Sequence, residues 1–499
     1  MEKRKTRRSF FPSLNFLQKD QQRHIFYLEQ EGGNTISLES FREPNYRIFV
    51  TLLFAVLTAV IMVYFIAGTV DISAALMIIA SIIFVAVTFI NTNIGLVAIL
   101  LSMLLSPEME AGATSGRSIV IRAEDMVLIM VSLTWLAKMA VKKAPLIRQS
   151  PLNAPIGLYI AVMLFSTVRG MMFGDVLPLK GLFYVLKISE YFILFFIVLN
   201  ITTTEKQVRV FLTVLFLVSL IVGIYGNTHI GSVSRISAPF EGEGEPNTLG
   251  GYLLFILSIA GGLLYCAKEH KLKLWMLLFF LLPSFLFTLS RASYMAMFVS
   301  LFTFIVITKD KRVMILLFAA AVCFLLIFTA GPPVIRDRVL GAFIPEKTQS
   351  LKKVGPISLG PSPAARVESW ANAFKYKIPK HPFFGVGITG GGFLDSQYIL
   401  TLLETGIIGF GLFLWLMWRV WQVAVKTYNT VETPRYKGLA LGYLVGFAGL
   451  LVHAIGCNTF IIIRIAEPFW FFTAIVVKLV DIETGKAVLE EDISLRLRY

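Results

Sequence analysis

Long apolar runs separated by short polar breaks recur along this chain from Ile48 to Leu479. Runs of that length suit the roughly 30 Å hydrocarbon core of a bilayer, which takes about 20 apolar residues in helical form. The pattern predicts spans near 48–66, 71–89, 92–105, 119–137, 154–168, 182–200, 208–225, 249–266, 274–289, 293–308, 313–330, 398–418, 438–456 and 465–480. The runs near 92, 154, 274 and 293 are short, so the expected architecture is an all-α, polytopic membrane helix bundle of about 12–14 spans. A polar and basic segment, 1–47, precedes the first run, which therefore reads as a retained helix rather than a cleaved signal. The bundle occupies 48–480, a loop at 331–397 interrupts it, and 481–499 form a tail.

Charge adds an orientation. Lys138, Lys142, Lys143, Arg148, Lys206, Arg209, Lys268, Lys271, Lys273, Lys309, Lys311, Arg312, Arg419, Lys426, Arg435 and Lys437 fall in alternate connections, on the side of the basic N-terminus. Lys and Arg concentrate on the cytoplasmic side of membrane proteins, so both termini are expected there. Trp135, Trp275, Trp415, Trp418 and Trp421 mark the same helix ends, as an aromatic belt would. Arg117, Arg169, Lys180, Arg235, Arg291, Arg464 and the 331–397 loop then face outward. A hydrophobic content of 56%, with 15% charged residues and a mean hydropathy of +0.74, excludes an ordinary soluble domain. The net charge of +15 reflects membrane orientation and does not point to nucleic acid. Cys266, Cys323 and Cys457 have neither metal-ligand nor disulfide spacing, and no internal repeat of the kind found in many transporters is visible.

Four outward segments carry polar groups that a plain bundle would not need. Arg235 precedes Glu245-Pro246-Asn247, where Pro and Asn also suit a helix start. Ser290-Arg291 lies in a tight turn, where an arginine can equally snorkel to the interface. Arg366 is followed one helical turn later by Trp370, a spacing that sets a cation beside an aromatic ring or merely decorates a surface helix. His381-Pro382, Gly385-Val386-Gly387 and Gly390 to Gly392 lead to Asp395, Tyr398 and Glu404 at the mouth of the next span. Inside a span, Lys187 and Glu190 stand three residues apart and are expected to pair, as a structural clamp or as part of an ion path.

In order and pattern these segments, from Arg235 to Leu412, resemble the O-antigen ligase and polymerase family of bacterial envelope glycosyltransferases. Ile121 to Asp125 and Leu186 to Tyr191 resemble it more weakly. The resemblance implies a metal-independent enzyme without cofactor, in the bacterial cytoplasmic (inner) membrane. It would transfer glycan from a polyprenyl-pyrophosphate carrier to an acceptor glycan on the outer face. The expected catalytic residues are Asp395, Arg291 and Arg366, with Arg235, Glu245, Asn247, Trp370, His381, Tyr398 and Glu404 binding pyrophosphate or glycan. Ligases of the family place a histidine where this chain has Asp395, which favours polymerisation of O-antigen, capsule or exopolysaccharide repeat units. His229, His381 and His453 are alternative bases. The rival readings are a ligase acting on lipid A core or protein, a polysaccharide or lipid-carrier flippase, and a structural scaffold. The implied partners are membrane lipid, a flippase and a chain-length regulator.

Overall fold

The computed structural model describes residues 72–110, 120–143, 145–233, 235–240, 245–266, 270–311, 352–354, 357–359, 361–392 and 394–496, with isolated positions between 314 and 336. The N-terminal segment, the first predicted span, most of the span at 313–330 and much of the large loop lie outside these residues. The chain divides into two compact units, 1–86 and 87–499, and every expected site residue belongs to the second.

The described chain is all-α. Its helices are α1 (Ile72–Ile90), α2 (Thr92–Leu105), α3 (Ala123–Lys142), α4 (Asn153–Met172), α5 (Pro178–Ile201), α6 (Glu205–Thr228), α7 (Pro246–Cys266), α8 (Lys271–Phe287), α9 (Arg291–Thr308), α10 (Pro361–Asn372), α11 (Gln397–Thr430), α12 (Pro434–Gly456) and α13 (Ile463–Arg496). Two small antiparallel ribbons, Glu108–Glu110 with Val120–Arg122 and Lys352–Val354 with Ile357–Leu359, decorate the loops. Seven of the described helices, α4, α5, α6, α7, α9, α11 and α12, are long and apolar enough to cross a membrane. The protein is a multi-pass membrane protein.

Local chemistry sets the helix starts. Pro178, Pro246 and Pro434 sit in first turns, where a missing N–H costs nothing. Thr204 and Gln207 form a capping box at α6, and the Ser290 hydroxyl accepts from the Ser293 N–H at α9. The bundle centres on the pairing of α7 with α12. A Cβ at Gly262 would run into the backbone of Gly438 and Gly442, and one at Gly442 would lie 2.6 Å from the Ile259 Cα. Small residues let two membrane helices approach to backbone contact, which supplies dispersion where no hydrophobic gain remains.

The span predicted at 398–418 is the start of a 34-residue helix that is broken at Gly406, with φ 66° and ψ −171°. The His381–Gly387 loop rests against this break. Val386 donates to the Leu403 carbonyl at 3.0 Å, Gly387 to that of Glu404 at 2.9 Å, and Ile407 to that of Pro382 at 2.8 Å. Gly385 has φ 66°, and a Cβ there would sit 2.5 Å from the Glu404 backbone. Glycine here lets the loop and helix backbones touch.

Candidate functional site

Several of the predicted residues meet at the end of the bundle where α7, α9, α11 and α13 begin and α12 ends. Arg235 donates through Nε to the Thr288 carbonyl at 3.2 Å and through its fork to Leu289 and to Asn247 Oδ1, both at 3.4 Å. Asn247 Oδ1 also accepts from the Ser290 hydroxyl at 2.8 Å, tying the first turn of α7 to the turn that presents Arg291. Glu245, exposed just before α7, accepts from the Thr248 hydroxyl at 3.1 Å. Arg291 is the first residue of α9 and is partly exposed.

Across this floor, Arg366 on α10 donates through Nε to Asp395 Oδ2 at 3.0 Å. Their side chains are 27% and 37% exposed, so both reach solvent. Behind them the α12–α13 connection is fastened to the segment before α11. Gln397 donates to the Cys457 carbonyl at 3.1 Å, Asn458 Nδ2 to that of Leu394 at 2.8 Å, and Phe460 to Gln397 Oε1 at 3.0 Å. Cys457 is buried, which pushes its thiol up to about 12, while the charges of Arg366, Asp395, Glu245 and Arg235 all act on it. The first turn of α7 lies against Ser293 of α9, Ile465 of α13 and His453 of α12, so the Arg235–Asn247–Ser290 group and the Arg366–Asp395 pair belong to the same end of the bundle.

Other expected residues are engaged elsewhere. The Tyr398 hydroxyl donates to the Leu451 carbonyl at 2.6 Å. Glu404 is 1% exposed and accepts the Thr389 N–H at 2.9 Å, so it supports the glycine loop from beneath. Trp370 packs against the apolar group of Ala373, Val386, Leu394, Leu400 and Leu403. His381 forms a separate clasp with α4: Arg169 donates to its Nδ1 at 2.9 Å and to the Gly385 carbonyl at 2.8 Å, and Asp175 lies 3.5 Å from its Nε2. The other two alternative bases make local hydrogen bonds. His229 closes α6 against the Tyr225 carbonyl at 2.8 Å, and the fully buried His453 shares a 2.8 Å hydrogen bond with Thr459.

Lys187 and Glu190 do approach, at 3.6 Å, but the tighter partner of Lys187 is Asp125 on α3. The ion pairing therefore joins two helices, which spacing within one helix could not reveal.

Residues 276–414 match the O-antigen ligase family. No curated protein matches the chain. The match supports an O-antigen ligase- or polymerase-type function, with a polysaccharide and a lipid-linked substrate in a membrane. The O-antigen ligase match takes in Ser290, Arg291, Arg366 and Asp395, whereas Arg235, Asn247 and Cys457 join them only through the fold. Sequence reasoning missed Cys457, Asn458 and Arg464. The last is 1% exposed and donates to the Pro239 carbonyl at 2.9 Å and to Phe240 at 3.4 Å, which fixes the segment carrying Arg235. A lone arginine at a span mouth was the only available signal for it.

Proposed function

We propose that this protein polymerises polyprenyl-pyrophosphate-linked repeat units into an envelope polysaccharide on the outer face of the bacterial cytoplasmic membrane. The observation that carries the reading is the solvent-reaching Arg366–Asp395 pair before α11, at the bundle end where Arg235 and Arg291 flank the starts of α7 and α9. A sugar on a pyrophosphate carries a good leaving group, so catalysis needs cations that bind the diphosphate and stabilise its growing charge. The planar fork of arginine suits phosphate oxygens.

Arg366 is engaged by Asp395 before donor arrives. In our reading the pyrophosphate takes over that guanidinium and releases the carboxylate, which then accepts the proton of the acceptor hydroxyl. The acceptor oxygen bonds to the anomeric carbon as the bond from that carbon to the phosphate oxygen breaks, and polyprenyl pyrophosphate leaves. No metal is assigned a role in this scheme. Asp395, at the position where family ligases carry histidine, favours polymerisation over transfer to lipid A core or protein.

Two experiments test the proposal. A deletion strain complemented with Asp395→Asn should lose its polysaccharide ladder on gels while the protein remains in membranes, and a wild-type ladder would remove the support for this site. Orientation is tested with single cysteines at Lys352 and Lys142 in a cysteine-free background. An impermeant thiol reagent on intact cells should label the Lys352 site, and labelling of the Lys142 site alone would invert the topology.

A further inference from the structure

The segment between α10 and α11 begins as a continuation of α10 and then runs as irregular backbone against two membrane helices. α10 leads without interruption into a π-helical turn, Ala373–Lys377, and a 3₁₀ turn, Ile378–Lys380. Ala373 is buried in the apolar group that Trp370 and Ile378 also join. Phe374, Tyr376 and Phe383 stay outside it and are 52%, 55% and 63% exposed. The α4–α5 turn extends the same surface: Met172 and Leu179 are 82% and 80% exposed, and the Phe173 ring lies 6.3 Å from that of His381. Apolar side chains left this open in one patch mark a surface that something else covers.

The depth of the loop identifies the cover. α4 is long and apolar enough to cross the membrane, and the Phe384 ring meets that of Phe165 on α4, with centroids 4.8 Å apart. Phe165 lies two turns before the end of α4, roughly 10 Å inside it at the rise of an α-helix, and is itself exposed. On the other flank Ile407 and Ile408 of α11 are exposed as well. The backbone matches this setting, because the carbonyls of residues 381–385 all accept hydrogen bonds from the protein. His381 accepts from the Gly385 N–H at 2.9 Å, Pro382 from Ile407 at 2.8 Å, Phe383 from Ile408 at 3.2 Å, Phe384 from the Ser166 hydroxyl, and Gly385 from Arg169 at 2.8 Å. A loop in water can leave its carbonyls to the solvent, whereas irregular backbone at membrane depth must be satisfied by protein.

The charges of the same stretch are cationic. Lys375, Lys377 and Lys380 are exposed, and no Asp or Glu occurs between Glu368 and Asp395. Lys377 Nζ donates to the Gly391 carbonyl at 2.8 Å, and Lys375 Nζ stands 5.1 Å from the centre of the Tyr376 ring. Asp175 of the α4–α5 turn lies 3.5 Å from His381. Aromatic rings flanked by lysines suit a bilayer interface, where the rings sit at headgroup level and the ammonium groups meet lipid phosphate. We propose that the Phe374–Phe384 segment, together with the α4–α5 turn, is an interfacial anchor that seats in the bilayer surface and binds anionic phospholipid through Lys375 and Lys380. Because α10 leads into this anchor, the helix that carries Arg366 is moored to the membrane.

The test uses the full wild-type chain in nanodiscs of phosphatidylcholine and phosphatidylglycerol. One of the two lipids carries a photoreactive diazirine in its acyl chain, and mass spectrometry maps the adducts after irradiation. Adducts are expected on the Phe374–Phe384 segment as well as on α4 and α11, and on that segment the phosphatidylglycerol probe should give about twice the yield of the phosphatidylcholine probe, or more. Lys375→Gln combined with Lys380→Gln leaves the Lys377 bond in place, so the α4 and α11 adducts should persist while the two yields on the segment converge. Labelled spans beside an unlabelled segment would assign the loop to water or to another protein and overturn the proposal. Equal yields from the two probes in the wild type, or a preference that survives both substitutions, would overturn it too. No donor or acceptor glycan is needed, so a negative result leaves the reading of the Arg366–Asp395 pair standing.

Discussion

Two groups of basic side chains and carboxylates stand out in this molecule, and burial separates them. In the first, Arg366 and Asp395 are 27% and 37% exposed, and Glu245 stands open at the helix mouth. In the second, the side chains of Lys187 and Asp125 are 7% and 8% exposed. An ion pair reached by water gains little stability and can be exchanged for a ligand. A dry pair is expensive to break, because each partner left behind keeps its desolvation cost. The open cluster can therefore serve chemistry, and the closed one fastens helices.

The largest effect is expected in the open cluster, at Asp395. Asp395→Asn preserves size but removes the base, so transfer should fall by about 10²- to 10⁴-fold, with the protein level unchanged on a membrane blot. Asp395→His should recover part of that loss, since imidazole accepts a proton near neutral pH. Close behind come Arg366→Lys and Arg291→Lys, which keep charge but lose the fork. Each should lower polymer formation by about 10²-fold in a ladder assay with normal expression.

In the closed cluster the readout is stability. Lys187→Met leaves Asp125 and Glu190 uncompensated and should cost about 3–5 kcal/mol, whereas Lys187→Met combined with Asp125→Leu should cost less. Thermal unfolding in detergent distinguishes them, and equal losses would mean that the pair is not a unit. The smallest effect is expected at Ser290→Ala. It removes the α9 cap and the bond to Asn247, for about 0.5–2 kcal/mol of stability. It should also raise the donor concentration needed for half-maximal rate, because Arg291 and Arg235 lose a shared support.

Much of this was legible in the sequence. Span length and hydropathy predicted an all-α membrane bundle, because a bilayer requires every backbone group to be satisfied within its own helix. The order of Arg235, Asn247, Ser290, Arg291, Arg366 and Asp395 carried the family resemblance, and polar groups at span mouths are conspicuous against an apolar background. Only the tertiary structure decided which polar groups remain open to solvent and which are tied to neighbouring backbone. Tyr398, Glu404 and Trp370 sit beside Asp395 or Arg366 in sequence, yet the Gly406 break and the loop docked on it turn them into the support. Asp125 is 62 residues from Lys187. A helical period relates only residues three or four apart, so contacts between helices, and the burial that separates a reactive charge from a structural one, arise only when the bundle packs.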